Sequence, residues 1–172
     1  MNYPEVLIEI RPSKLGGVGI FAVRDFKQGE VIIPADGYEF QKPIPWSKLE
    51  EFDDSFKRLV GIHCSGTPEG FWPPEDLDFN NLMIEWYFNH SCEGNVGFDE
   101  PGNYLAIRDI KKDEELYFDY GLVEANPNFR MECHCNSKNC RKVITGNDWK
   151  NGVVDERYML GPLKAKLKKI NL

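Results

Sequence analysis

The sequence predicts a mainly β fold, a β-rich α+β domain of short strands with one helix set among them. Three observations carry that expectation. Short apolar runs recur along the chain, each bounded by Gly, Asn, Asp or Lys. A single long stretch shows the three-and-four spacing of an amphipathic helix. The chain has 172 residues, 41% hydrophobic and 28% charged, which suits one compact domain with its own core.

Taken in order, residues 6–10 alternate loosely and read as a strand, and residues 13–19 as a turn-rich loop. Two further strands, 20–23 and 31–33, flank the turn Lys27-Gln28-Gly29. Pro43 and Pro45 break the pattern. Ser47-Lys48-Leu49-Glu50 then matches a capping box, in which the Ser hydroxyl takes an orphan N–H and the Glu reaches back. Trp46, Leu49, Phe52, Phe56, Leu59 and Val60 follow at helical spacing, so one helix is expected to about Val60. Residues 66–76 hold Thr-Pro and Pro-Pro and read as a loop, while 77–88 are apolar-rich without a clear period. Strands are expected at 104–108 and 115–118, a polar Asn-rich connection after Gly121, and a Lys-rich short helix within 155–172. One internal echo stands out. Ala22-Val23-Arg24-Asp25-Phe26-Lys27 precedes Glu30 as Ala106-Ile107-Arg108-Asp109-Ile110-Lys111 precedes Glu114. Each copy reads as an ordinary strand–turn–strand unit.

Several function classes drop out. The formal charge is -7, so a direct nucleic-acid partner is not expected, because phosphate binding wants a basic surface. No apolar run approaches the ~18 residues of a membrane span. The first residues show no charged-then-apolar signal, which reads as an intracellular protein. The five cysteines are an odd number for a disulfide framework.

Four constellations could carry chemistry. Cys133, Cys135 and Cys140 fall within eight residues, a packing of thiols that suggests zinc. A tetrahedral site needs a fourth ligand, and His134, Cys92 and Cys64 are the candidates. Asn89-His90-Ser91-Cys92 invites either a Cys/His nucleophile or a polar knot in which Asn89 and His90 satisfy backbone groups. Gly16, Gly17, Val18 and Gly19 form a glycine turn that lacks dinucleotide or phosphate-loop spacing. In Glu115-Leu116-Tyr117-Phe118-Asp119-Tyr120, a strand would put Leu116, Phe118 and Tyr120 on one face.

The order and wording of these motifs resemble one family, the SET-domain protein-lysine methyltransferases. The resemblance covers about residues 4–36 and 85–145. It rests on Gly17-Val18-Gly19 with Phe21-Ala22, on Asn89-His90-Ser91-Cys92 with Asn95, on Glu115 through Gly121, and on Cys-x-Cys-x4-Cys ending Asn139-Cys140-Arg141. Trp86, Gly94 and the run Pro34-Ala35-Asp36-Gly37 depart from the family's usual wording. The resemblance implies a SET-domain fold of small sheets with a threaded, pseudoknot-like loop. It divides the chain into a SET domain over 4–121 with a variable insert at 37–84, a post-SET zinc element over 122–145 and an extension over 146–172.

The resemblance further implies methyl transfer from S-adenosyl-L-methionine to a lysine of a protein substrate, a histone tail or another intracellular protein. A histone-directed eukaryotic enzyme would be nuclear, and otherwise the enzyme would be cytoplasmic. Tyr120 is then expected to orient the amine and Phe118 to shape its channel. Gly16, Gly17, Val18, Gly19, Asn89 and His90 would hold the cofactor. Cys92 would join Cys133, Cys135 and Cys140 around zinc. Two rival readings are a non-catalytic peptide-binding adaptor on the same fold and a hydrolase using Cys92 and His90. Intact Tyr120, Asn89 and His90 speak against the first, and a zinc-bound Cys92 against the second.

Overall fold

A computed structural model describes residues 5–35 and 42–170. Asp36 and Gly37, which figure in the resemblance, lie outside the described residues. In chain order the strands are β1 (Ile8–Pro12), β2 (Val18–Ala22), β3 (Val31–Ile33), β4 (Ile44–Pro45), β5 (Gly70–Phe71), β6 (Asn89–His90), β7 (Val96–Phe98), β8 (Tyr104–Ala106), β9 (Glu115–Phe118), β10 (Arg130–Glu132) and β11 (Val143–Thr145). Two α-helices, α1 (Asp54–His63) and α2 (Gly161–Ile170), lie between and after them. The expected mixed α+β fold of small sheets is what is found. The main sheet runs β1-β2-β9-β7-β8-β3, with β6 also paired to β9; β10-β11 and β4-β5 form two-stranded sheets.

The helix expected from Trp46 to about Val60 differs from the sequence reading. Trp46–Glu51 is a separate 3-10 helix with no side-chain cap bond, so Ser47 does not close a capping box. Glu50 pairs instead with Lys57 at 2.8 Å. Phe52 is extended, which ends the first helix, and the Asp53 carboxylate accepts the Phe56 N–H to start α1. The hydrophobic spacing is real, but it spans two short helices. The Phe52 and Phe56 rings still stack across the break, at 4.0 Å between centroids.

The internal echo is more than two ordinary turns. The copies pack on each other, and each contact has its mate. Phe26 and Ile110 exchange backbone hydrogen bonds of 2.9 Å in both directions. Lys27 Nζ meets Asp109 at 2.7 Å and Lys111 Nζ meets Asp25 at 2.7 Å. The same carboxylates accept the Gln28 and Lys112 backbone N–H groups. Arg24 pairs with Glu30 as Arg108 pairs with Glu114. Phe26 and Ile110, 1% and 0% exposed, fix this contact by burial, since the ion pairs around it are solvated and worth little.

One hydrophobic cluster runs through the molecule. It joins Ile20, Phe98, Leu116 and Phe118 of the sheet to Trp149, Met159, Leu163 and Leu167 of the C-terminal segment. That segment packs into the core of the sheet domain. No helix among the described residues is long and apolar enough to cross a membrane.

Candidate active site and metal centre

β9 is the spine of the site. It accepts β2 on one side in antiparallel pairing, with Phe21 opposite Glu115 and Ile20 opposite Leu116. On the other side β6 and β7 both lie parallel to it, with Asn89 opposite Tyr117 and His90 opposite Phe118. The stretch between them is the part that the resemblance expects to thread. Asn95, 1% exposed, fastens it: its amide donates to Glu115 O at 2.9 Å and accepts the Tyr117 N–H at 2.8 Å.

The glycine turn sits beside this spine. Gly16 and Gly17 have φ of 103° and 64°, left-handed values that favour glycine. Gly19 is required for a different reason: a Cβ there would stand 2.1 Å from Glu115 Oε1. The Asn89 amide donates to Val18 O at 2.8 Å, so the turn and β6 are bonded directly.

Neighbouring residues on a strand point to opposite faces, and Asn89 and His90 do so. His90 is buried, and burial pushes its imidazole down to about 4. Its Nδ1 accepts the Tyr120 N–H at 3.1 Å. Nε2 therefore carries the ring hydrogen, and it lies 3.4 Å from Cys92 Sγ. Tyr120 itself is not on the strand. β9 ends at Phe118, and Tyr120 opens a 3-10 turn whose cap is Asp119. The Tyr120 hydroxyl donates to Phe88 O at 3.0 Å, and burial pushes the phenol up to about 12.

Tyr120 and Phe118 line a cavity of about 500 Å³ together with Phe88, Tyr104, Trp86 and Leu160. The Phe118 ring packs edge-on to Phe98 and tilts against Tyr120 at 5.3 Å. Two carboxylates, Glu85 and Glu124, also face the cavity. Glu124 is buried and accepts the Gly66 and Asn126 N–H groups, and burial raises its carboxyl to about 7.

The cysteines settle the open question of a fourth thiol. The Sγ atoms of Cys92, Cys133, Cys135 and Cys140 all lie within 4.8 Å of one another. Cys92 and Cys133 stand 3.8 Å apart, about the edge of a tetrahedron with 2.3 Å metal–sulfur bonds. Four converging thiols are the donor set of a structural zinc site with no open position. Cys64 is outside the cluster, half-buried near Glu124. His134 is exposed and pairs loosely with Glu132.

Sequence reasoning quoted two further residues, Arg141 and Glu115, within motifs and gave neither a role. Arg141 forks onto Asp119 with two bonds of 2.6 Å and reaches Asp148 at 3.0 Å, while its backbone N–H points at Cys92 Sγ. It ties the cysteine loop to the residue before Tyr120. Its one sequence signal is its place directly after Cys140. Glu115, quoted only as the start of its motif, sits buried beneath Gly19.

Comparison with known proteins agrees with the geometry. The chain is 40% identical over 142 residues to human histone-lysine N-methyltransferase 2D, covering 76% of this chain and 2% of that protein. It is 27% identical over 143 residues to human histone-lysine N-methyltransferase 2B, covering 77% and 5%. Against rice histone-lysine N-methyltransferase TRX1 the figures are 29% over 143 residues, 77% and 13%. The chain thus spans a small fraction of these relatives. A SET-domain sequence profile matches residues 17–121, more than half the chain, and the chain belongs to the SET-domain family.

Proposed function

We propose that this chain transfers methyl groups from S-adenosyl-L-methionine to the side-chain amine of a lysine in a protein, a histone tail or another protein. The observation that carries the reading is the Tyr120 hydroxyl set in an aromatic cavity, one bond away from the strand that holds Asn89 and His90. The relatives' names add that lysines of histones are substrates within the family.

The cofactor supplies a methyl carbon activated on a sulfonium. The chain's residues have three tasks. First, the lysine must present a neutral amine, although its reference pKa is ~10.4. The aromatic walls desolvate it, which favours the neutral form. Second, the amine must be held in line at about 3–3.5 Å. The Tyr120 hydroxyl, kept protonated by its raised pKa, and Phe118 define that position. Third, Gly16, Gly17, Val18, Gly19 and Asn89 would bind the cofactor at the glycine turn, with His90 serving from the same strand through Tyr120, because both of its ring nitrogens are engaged on the other face. Zinc on Cys92, Cys133, Cys135 and Cys140 would hold the cysteine loop against the cavity without taking part in chemistry.

Phe118 lacks the hydroxyl that could hold a water in the channel. A methylated amine is then free to turn and react again, so di- or trimethyl-lysine is the expected product. Incubation with labelled S-adenosylmethionine and separated histones, ribosomal proteins and lysate tests the reading. Label on a lysine is expected, and Tyr120→Phe should abolish most of it. Absence of label from every fraction overturns it.

A further inference from the structure

The cofactor reading leaves Glu115 without a task. Its residue is 7% exposed, and its carboxylate lies under the glycine turn, where Gly19 has no side chain to cover it. Oε1 accepts Asn89 Nδ2 at 3.1 Å and Oε2 accepts the Tyr117 hydroxyl at 2.6 Å. Among the described residues no Lys or Arg pairs with it. The second Asn89 amide hydrogen goes to Val18 O. Two acceptors on one side of the amide fix which end is nitrogen. Among the described residues no donor meets Asn89 Oδ1. The open side of the turn thus presents a carbonyl dipole backed by a buried carboxylate. That is a seat for a cationic donor and a poor one for an anion.

We propose that Glu115 is a positioning residue for the cofactor: by holding the Asn89 amide it aims Oδ1 at the ammonium of the methionine end, and it excludes the carboxylate of that end from the same seat. This rests on the methyltransferase reading and adds to it one residue. The Tyr117 phenol, pushed up by burial and by the Glu115 bond, remains a donor and keeps the second oxygen in place.

The test compares two neutral thioethers that differ only in the amino-acid end, S-adenosylhomocysteine and 5′-methylthioadenosine, titrated calorimetrically into the zinc-loaded chain. Glu115→Gln should weaken S-adenosylhomocysteine by about tenfold or more, the loss of one charge-assisted contact. 5′-Methylthioadenosine should bind within twofold of wild type. KM for S-adenosylmethionine should rise with kcat little changed. Equal weakening of both thioethers would mean that Glu115 only supports the glycine turn, and overturns the inference. So does unchanged S-adenosylhomocysteine affinity. Where Glu115→Gln does not fold, Tyr117→Phe keeps the carboxylate but frees it, and a few-fold loss for S-adenosylhomocysteine alone is expected; no loss overturns the inference. A wild type that binds neither S-adenosylhomocysteine nor S-adenosylmethionine overturns the methyltransferase reading itself.

Discussion

Arg141→Ala isolates the joint between the cysteine loop and Tyr120. Arg141 and Asp119 side chains are 16% and 11% exposed, and Asp148 is 9% exposed. The two Asp119 bonds are parallel and short, a bidentate fork that a lysine cannot copy. Removing the guanidinium leaves two carboxylates nearly out of water. Among the described residues Asp119 keeps only the Gly121 N–H and Asp148 only the Thr145 hydroxyl. Breaking a buried pair this way costs about 3–5 kcal/mol. For a chain of this size that is a fall in Tm of about 6–20 °C. Arg141→Lys should lose roughly half as much, because it keeps the charge and loses the fork. The assay is thermal unfolding of zinc-loaded protein with zinc content measured alongside. Zinc should stay near wild type, because the Cys92 contact is made by the Arg141 backbone N–H. A loss below about 1 kcal/mol, the range of an exposed pair, would refute the argument that burial makes this fork strong.

Cys92→Ser should lower zinc content and activity together, while Cys64→Ser should leave zinc unchanged; elemental analysis decides. Tyr120→Phe should cut methylation by about a hundredfold or more with cofactor affinity nearly intact, read by steady-state kinetics. Phe118→Tyr should move the product toward monomethyl-lysine, read by mass spectrometry of a peptide at full turnover. Glu124 has a raised carboxyl, so its contribution to stability is fully present below the unfolded value near 4.5 and lost as pH rises through about 7. Between pH 5 and 8 wild type should therefore lose about 2.5 kcal/mol that Glu124→Gln does not lose, measured by denaturant melts at both pH values.

What the sequence made legible follows from which signals are local. Cys133, Cys135 and Cys140 sit in one loop, so their meaning is visible in their spacing; that Cys92 completes the set is a fact of folding across 41 residues. The helix at the insert was visible in its period, but its start was misplaced, because the extended backbone at Phe52 and the Asp53 cap leave no mark on hydrophobic spacing. Two-residue strands such as β4, β5 and β6 are too short to show alternation at all. The echo was legible as wording, but its meaning was not. Only the packed structure shows that Asp25 serves the second copy and Asp109 the first. The roles of Arg141 and Glu115 were illegible for a shared reason. A charged residue is ordinarily solvated, and nothing local says that its partner is buried elsewhere in the chain.

The pair Asn89-His90 shows how much a single strand step can separate. On one face the Asn89 amide is held by Val18 O and Glu115. On the other, His90 takes the Tyr120 N–H on Nδ1 and turns its Nε2 toward Cys92 Sγ. A neutral imidazole can do both only in one tautomer, and burial keeps it neutral. One dipeptide thus touches the glycine turn, the tyrosine turn and the cysteine cluster. The polar-knot reading of these residues and the functional one need not compete. The backbone groups that Asn89 and His90 satisfy belong to Val18 and Tyr120, the residues whose positions the proposed chemistry depends on.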